Sequence, residues 1–236
     1  IGQAIKRLNR RLERVDKRRQ QGRQQRHKQE IPTVSLVGYT NAGTSTLFNR
    51  LCNADVVAVD KLFATLDPTL RKLELPDGGS AILADTVGFI RELPHELVAA
   101  FKSTLEETRD ARLLLHVVDC ADPAHAERIE QVNTVLKSIG ADGLPVIHVY
   151  NKADILGIQP RVDRSESGAV SRIWLSAHSG DGIDMLLSAV AEFLHQGRVR
   201  GTVQLDVTQA RLRALLYQQA RVLAERARQC VEALDL

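Results

Sequence analysis

The sequence predicts an α/β domain in which a mostly parallel sheet has one antiparallel edge strand and helices on both faces. Short apolar segments alternate with longer segments of helical periodicity, a pattern typical of a parallel sheet covered on both sides. The predicted strands are 33–37, 70–75, 81–84, 112–119, 145–150 and 172–176. The predicted helices follow residue 44 and cover about 95–110, 124–139 and 182–195. A Pro-Asp-Gly-Gly turn between the second and third strands predicts a hairpin, so 70–75 is the antiparallel edge strand.

Length and composition indicate one large core with short extensions. The chain has 236 residues, of which 44% are hydrophobic. We expect a basic helical segment at 1–30, which ends a helical N-terminal domain, a central domain at 31–195 and the start of a C-terminal module at 196–236. Because the chain begins with Ile1, we expect a segment of a longer protein. No apolar run reaches the roughly 18 residues that span a bilayer.

The first predicted strand leads into a phosphate-binding loop with one departure from the pattern. The chain has Gly38-Tyr39-Thr40-Asn41-Ala42-Gly43-Thr44-Ser45-Thr46, where the motif G-x-x-x-x-G-K-[ST] requires lysine in place of Thr44. Glycines let backbone N–H groups converge on an anion, and the following helix N-terminus adds a favourable dipole. Ser45 stands where a hydroxyl coordinates magnesium between phosphates. By itself this degenerate loop is equally compatible with an ordinary strand-to-helix turn.

Three further motifs follow in the order of a GTP-binding domain. Asp85-Thr86-Val87-Gly88 ends the third strand, where the carboxylate reaches magnesium and the Gly88 N–H reaches a γ-phosphate. Asn151-Lys152-Ala153-Asp154 ends the fifth strand, and Asp154 can accept from the two donors of a guanine edge. Ser176-Ala177 can offer a backbone N–H to the guanine oxygen. The set predicts a Ras-like P-loop GTPase domain, in which ligands lie at the carboxyl ends of the strands.

Three segments carry a resemblance to a known family: Gly38 to Leu51, Leu62-Phe-Ala-Thr-Leu-Asp-Pro-Thr69 and Asp85-Thr-Val-Gly-Phe-Ile-Arg91. They resemble the HflX family of translation-associated GTPases. The resemblance runs through 31–195 and implies GTP/GDP and Mg²⁺ as cofactors. It implies that Thr65 is the threonine that closes over magnesium and γ-phosphate, flanked by Phe63 and Ala64 at the nucleotide. Thr69 is the competing candidate. The metal ligands are then Ser45, Thr65 and Asp85.

Two positions bear on catalysis. Ras-like enzymes place a glutamine after the Asp-x-x-Gly motif to orient water, whereas this chain has Phe89 there. An apolar side chain cannot polarise water, so catalysis must come from magnesium, the loop amides or a group brought in by a partner. The catalytic candidates within this chain are Thr65, Gly88 and Asn41. Asn41 occupies the position at which potassium-activated relatives hold K⁺ with asparagine. The alternative is that Asn41 only satisfies backbone groups of the loop.

The basic charge is concentrated at the N-terminus. Residues 1–30 contain eleven Lys or Arg and three acidic residues, hence +8, while the whole chain carries +3. Apolar residues at Ile1, Ile5, Leu8, Leu12 and Val15 form a heptad seam, and none follows until Ile31. Because positive charges dominate this segment, we expect it to contact RNA phosphates. The alternative is that it forms a helix whose charged face is only solvated. By the resemblance, the segment belongs to a domain that engages the large ribosomal subunit.

The sequence therefore predicts a GTPase weakened by Thr44 that acts on ribosomes, through the large subunit and its rRNA, to split or rescue them under stress. The alternative is a nucleotide-impaired rRNA-binding module that hydrolyses nothing. We expect a monomer that binds no DNA. Three widely spaced cysteines, Cys52, Cys120 and Cys230, form no ligand cluster and are typical of reduced thiols in a cytoplasmic protein.

Overall fold

A computed structural model describes residues 31–52, 69–85, 105–195, 202–206, 208–219 and 225. The chain divides between Gln196 and Gly197 into two compact units, which are described separately. The predicted basic helix at 1–30 lies outside the described residues. None of the described helices is long and apolar enough to cross a membrane.

The first unit is built around one sheet of seven strands. The strands are β1 (Thr33–Gly38), β2 (Thr69–Glu74), β3 (Ser80–Asp85), β4 (Leu113–Asp119), β5 (Val146–Asn151), β6 (Arg161–Arg164) and β7 (Val170–Trp174). The helices are α1 (Thr44–Cys52), α2 (His125–Ser138) and α3 (Ile183–Leu194), with a helical stretch at 105–109 and a 3-10 turn at Ala153–Leu156. The spatial order of the strands is β2-β3-β1-β4-β5-β7-β6.

The predicted Ras-like architecture is confirmed, including the antiparallel hairpin of β2 and β3. The four pairings among β3, β1, β4, β5 and β7 are parallel, so their carboxyl ends meet at one edge. The prediction missed β6, which pairs antiparallel with β7 and is the outermost strand on the side of the sheet far from β2. The Ser167-Gly168 dipeptide was a turn signal in the sequence. In the structure Gly168 adopts φ +81°, and Ser165 N–H donates to Ala169 O at 2.8 Å.

The alternation of side chains along the strands divides the core between the two faces of the sheet. Leu36, Leu115 and Val149 belong to the larger cluster, on which α1 and α3 pack. Val37 and Leu114 belong to a second cluster with α2 and the helical stretch at 105–109. Because successive residues of a strand point to opposite faces, near-continuous apolar runs are what a sheet buried on both sides requires.

Two histidines interrupt the second cluster. His116 is 1% exposed, its ring centroid lies 5.2 Å from that of His148, and its Nδ1 has no hydrogen-bond partner among the described residues. Burial, with a smaller contribution from His148, lowers the pKa of His116 from 6.5 to about 3. A histidine buried in its neutral form resists protonation in the folded state, whereas the unfolded chain protonates near pH 6.5.

We therefore expect His116 to make the fold acid-labile. Its contribution is complete above about pH 6.5 and is lost as the pH falls towards 3, by on the order of 4–5 kcal/mol when fully protonated. His116→Leu should lower the pH midpoint of acid unfolding while leaving stability at pH 7.5 equal or higher, which circular dichroism during acid titration measures. His178→Leu, at an exposed histidine, is the control and should not move the midpoint. Identical acid transitions for His116→Leu and the parent chain would contradict this account.

The second unit contains α4 (Ala210–Gln219), which lies inside the helix that the Ala-, Arg- and Leu-rich run 208–234 predicts. Asp206 forms a turn ahead of this helix, because its Oδ1 accepts from the N–H and the hydroxyl of Thr208 at 3.0 and 2.8 Å. Glu225 accepts from Arg213 and from the hydroxyl of Tyr217. The residues 202–206 form neither helix nor strand.

Candidate nucleotide-binding site

The loop between β1 and α1 has the backbone geometry of a phosphate cradle. Gly43 and Asn41 have positive φ values of 90° and 65°, and Ala42 N–H donates to Tyr39 O at 3.1 Å. A Cβ on Gly38 would lie 2.6 Å from the Val117 carbonyl oxygen, and a Cβ on Gly43 would collide with the Asn151 amide. Glycine is therefore required at both ends of the loop for steric reasons. Thr40 and Thr46 flank the cradle in the loop and the first turn of α1.

Thr44 is the first residue of α1 and is half-buried. Its methyl carbon lies 3.2 Å from the position that a Cβ on Gly38 would take, so this side chain packs beside the start of the loop. Threonine brings neither a charge nor the length of lysine to the cradle.

A hydroxyl and a carboxylate meet next to this loop. Ser45 Oγ donates to Asp85 Oδ2 at 3.0 Å, and Asp85 at the end of β3 is fully buried. Hydroxyl and carboxylate oxygens are the hard ligands that Mg²⁺ prefers, together with phosphate oxygens and water. The donor set thus fits magnesium, and the pairing joins two residues that the sequence analysis assigned to one metal site.

Asn151 connects the phosphate loop to the loop after β7 that carries Ser176 and Ala177, here called the base loop. Its side chain is 3% exposed, its Nδ2 donates to Ala42 O at 2.9 Å, and its Oδ1 accepts from Ala177 N–H at 2.9 Å. Both ends of the amide are therefore engaged by backbone groups 109 and 26 residues away in sequence. Asn151 fixes the distance between the two loops.

Lys152 adds a second tie to the phosphate loop. Its Nζ donates to Asn41 O at 2.9 Å and forms an ion pair with Asp119 Oδ2 at 2.7 Å. Lys152 itself has φ 65°, which turns the chain sharply at the end of β5. Its ammonium is committed to these two oxygens, one of them the carboxylate at the end of β4.

The same turn presents Asp154 at the carboxyl edge of the sheet. Ala153 is buried and its N–H donates to Leu175 O at 3.1 Å, whereas the next residue, Asp154, is exposed. Gly157, with φ 64°, closes the 3-10 turn. Because Ala153 is held in the core while the Asp154 side chain is exposed, a ligand at the carboxyl ends of the strands can reach the Asp154 carboxylate.

The loop after β7 is held from several directions. Ser176 and Ala177 are both buried, and Ser176 N–H donates to Asp181 O at 3.0 Å. Because Ala177 N–H already donates to Asn151, a base oxygen would have to share that donor. Arg50 of α1 donates through Nε to Ala177 O at 3.2 Å and through Nη2 to His178 O.

Sequence reasoning missed two residues of this site, Asp119 and Arg50. Asp119 ends an apolar strand as Asp85 does, and that repeated position was the available signal. Arg50 gave no such signal, because its contacts join residues 127 and 128 positions apart. The site residues Phe63, Ala64, Thr65, Thr86, Val87 and Gly88 lie outside the described residues, as does Phe89. Thr69, the competitor of Thr65, opens β2 opposite Asp85.

Comparisons with known proteins find a family model and curated relatives that resemble this chain. The family model described as "50S ribosome-binding GTPase" matches residues 33–152. GTPase HflX of Escherichia coli K12 is 56% identical over 215 residues, which cover 91% of this chain and 50% of that protein. GTPase HflX of Caldanaerobacter subterraneus is 53% identical over 190 residues, 80% of this chain and 43% of that protein. The chain thus spans about half the length of the curated relatives it matches.

Solved structures support the fold. Era in complex with MgGDPNP and a segment of 16S ribosomal RNA has a TM-score of 0.58 at 21% identity, over 75% of this chain and 59% of Era. An Aquifex aeolicus Era variant bound to GDP and aluminium fluoride has a TM-score of 0.56 at 20% identity, over 75% of this chain and 60% of Era. At this identity the likeness concerns the fold alone.

Proposed function

We propose that this chain, which belongs to the 50S ribosome-binding GTPase family and there to the HflX GTPases, binds GTP and GDP at the carboxyl edge of its sheet and hydrolyses GTP slowly. The observation that carries the proposal is the Asn151 side chain, which joins the phosphate loop to the loop of Ser176 and Ala177. A ligand that needs both loops at a fixed distance has a phosphate end and a base end, as a nucleotide has.

Guanine is the base that Asp154 would select. An exposed carboxylate at the edge can accept from both N1–H and the exocyclic amine of guanine, and adenine offers no such pair of donors. The backbone N–H groups near Ala177 would meet the guanine oxygen. With adenine, the carboxylate would be desolvated without donors, which is costly.

Magnesium would be held by Ser45 and Asp85, with Thr65 as the third protein ligand. A bound Mg²⁺ neutralises charge on the phosphate oxygens. Asn41 would help hold K⁺ beside the phosphates, where it compensates in part for the charge that Thr44 does not supply. Thr65 and the Gly88 N–H would contact the γ-phosphate, and Phe89 contributes no polar group to the attacking water.

Hydrolysis should be slow because no described side chain replaces the missing lysine. The described cations near the loop are already committed: Lys152 to Asn41 O and Asp119, Arg50 to the base loop, and Arg128 to the Tyr39 ring and Asp122. The same observation favours a second candidate function, a nucleotide-impaired module that binds ribosomal RNA without significant hydrolysis. Turnover with and without ribosomes separates the two, since only the first predicts GTP-dependent phosphate release.

The ribosome is the partner we propose, through its large subunit and rRNA, for splitting or rescue under stress. We place the chain in the cytoplasm as a monomer that does not bind DNA. The support for a ribosomal partner is the family match and the charge of +8 in residues 1–30. In this proposal 1–30 ends a helical N-terminal domain, 31–195 is the GTPase domain and 196–236 starts a C-terminal module.

If residues 1–30 contact RNA phosphates, deleting them should flatten the salt dependence of ribosome binding. Each bound phosphate releases counterions, so the slope of log K against log salt should become shallower by about 0.7–0.9 for every phosphate that the deletion leaves unbound. Cosedimentation with ribosomes over a range of KCl concentrations measures that slope. GDP binding should survive the deletion and serves as the control for folding. An equal slope for both forms would mean that the basic segment is only solvated.

A further inference from the structure

We infer that Arg50 is a positioning residue for nucleobase recognition, which fixes the loop at Ala177 and His178 from the helix that begins at the phosphate loop. The inference rests on the proposed function, because it concerns how the same site holds a guanine base.

Arg50 contacts the backbone of that loop at two successive carbonyls. Its Nε donates to Ala177 O at 3.2 Å and its Nη2 donates to His178 O. The guanidinium also lies against Gly180, since a Cβ built there would be 3.6 Å from Arg50 Cζ. A planar fork of donors suits two neighbouring carbonyls, which a single ammonium cannot match as well.

These contacts add to the hydrogen bond that Asn151 makes with the same loop. Asn151 Oδ1 accepts from the Ala177 N–H, while Arg50 donates to the carbonyl of the same residue. Ala177 is 1% exposed, so its peptide groups have few alternatives to these protein partners. The orientation of the peptide planes around Ala177 is therefore set by two side chains from two different elements.

Internal hydrogen bonds keep the rest of the loop compact. Gly180 N–H donates to Ser176 O at 2.9 Å, and Ser179 N–H donates to Ser176 Oγ at 3.1 Å. We therefore expect the loop to keep its internal structure if its outer contacts are lost. Without the hydrogen bonds from Arg50 it should shift relative to the base but stay folded.

Arg50 is exposed and lies in the last turn of α1, at the end of the helix opposite to the phosphate loop. Its effect should therefore be confined to the part of the nucleotide that meets the loop, the oxygen at position 6 of the purine. A contribution to folding alone would instead weaken every nucleotide to the same degree. This difference separates a positioning role from a structural one.

The test compares GDP with 6-thio-GDP, which keeps the N1–H and amine donors that face Asp154 but carries a weakly accepting sulfur in place of the oxygen at position 6. Binding of both is measured by titration calorimetry for the chain, Arg50→Met and Arg50→Lys, and in parallel for the same forms carrying Thr44→Lys. Arg50→Met should weaken GDP roughly tenfold, about 1.4 kcal/mol, and leave the analogue within about twofold. Arg50→Lys should recover part of the GDP affinity. Arg172→Met, at an exposed arginine of β7, controls for the removal of surface charge.

Equal weakening of GDP and the analogue, or no weakening of either, would overturn the inference. Failure of the unmodified chain and of its Thr44→Lys form to bind any guanine nucleotide would instead refute the proposed function, and the inference with it. The thermal unfolding midpoint of each variant identifies a folding defect, and Arg50→Gln, which keeps an amide donor, replaces Arg50→Met if that variant does not fold.

Discussion

Replacing Thr44 by lysine should raise both GTP affinity and turnover. A lysine at this position places an ammonium against the β- and γ-phosphates, and a charge-assisted hydrogen bond contributes roughly 1.5–3 kcal/mol. That range corresponds to about ten- to hundredfold in affinity. The gain in turnover should be larger, about 10²–10³-fold, because a preorganised group facing developing charge is worth that much in rate.

Steady-state phosphate release by the two forms, with magnesium and in potassium or sodium, measures this effect. Thr44→Met is the matched control, since methionine approaches the length of lysine without its charge and should gain nothing. If Asn41 holds potassium, both forms should turn over faster in potassium than in sodium. Turnover by the threonine form as fast as by the lysine form would show that another residue supplies the charge.

Asp154→Asn should weaken GDP binding at least about tenfold, the equivalent of 1.4 kcal/mol. The amide cannot accept from both guanine donors, and its own N–H₂ faces one of them. Xanthine nucleotides carry an oxygen where guanine has the amine, so the same variant should bind them more tightly. Competition of XDP and GDP against a fluorescent nucleotide measures the reversal. Asp142→Asn makes the same change at an exposed residue outside the site and should leave the preference intact.

An unchanged base preference in Asp154→Asn would remove the guanine assignment while leaving the phosphate loop unaffected. The two variants therefore test opposite ends of the proposed ligand. Thr44→Lys should act on any nucleoside triphosphate, and Asp154→Asn should act only on the choice of base.

The sheet was predictable from the sequence because both of its faces are covered. Runs such as Leu113–Asp119 are largely apolar, and they remain recognisable without any knowledge of their neighbours. β6 was missed because Arg161–Arg164 has four residues, none of them buried, so hydrophobic periodicity is absent. Only the turn that precedes β7 marked it.

The proximity of predicted site residues was predictable where a motif lies next to the end of a strand. Ser45 and Asp85 were expected at one metal site, and a hydrogen bond joins them. The position of Asp119 at a strand end was visible in the sequence, but its ion pair with Lys152 and the hydrogen bonds of Arg50 were not predictable, because each joins distant segments. A sequence shows which residue types stand at strand ends, whereas the partner of a long side chain follows only from the folded arrangement.

The central claim is that this edge of the sheet binds a guanine nucleotide, and equilibrium binding to the unmodified chain tests it most directly. GDP and ADP share their phosphates and ribose, so their difference isolates the base. Titration of each in magnesium should give GDP at least about a tenfold advantage, or 1.4 kcal/mol, even if both bind weakly through the loop that lacks lysine. Equal affinity for GDP and ADP, or a preference for ADP, would contradict the account.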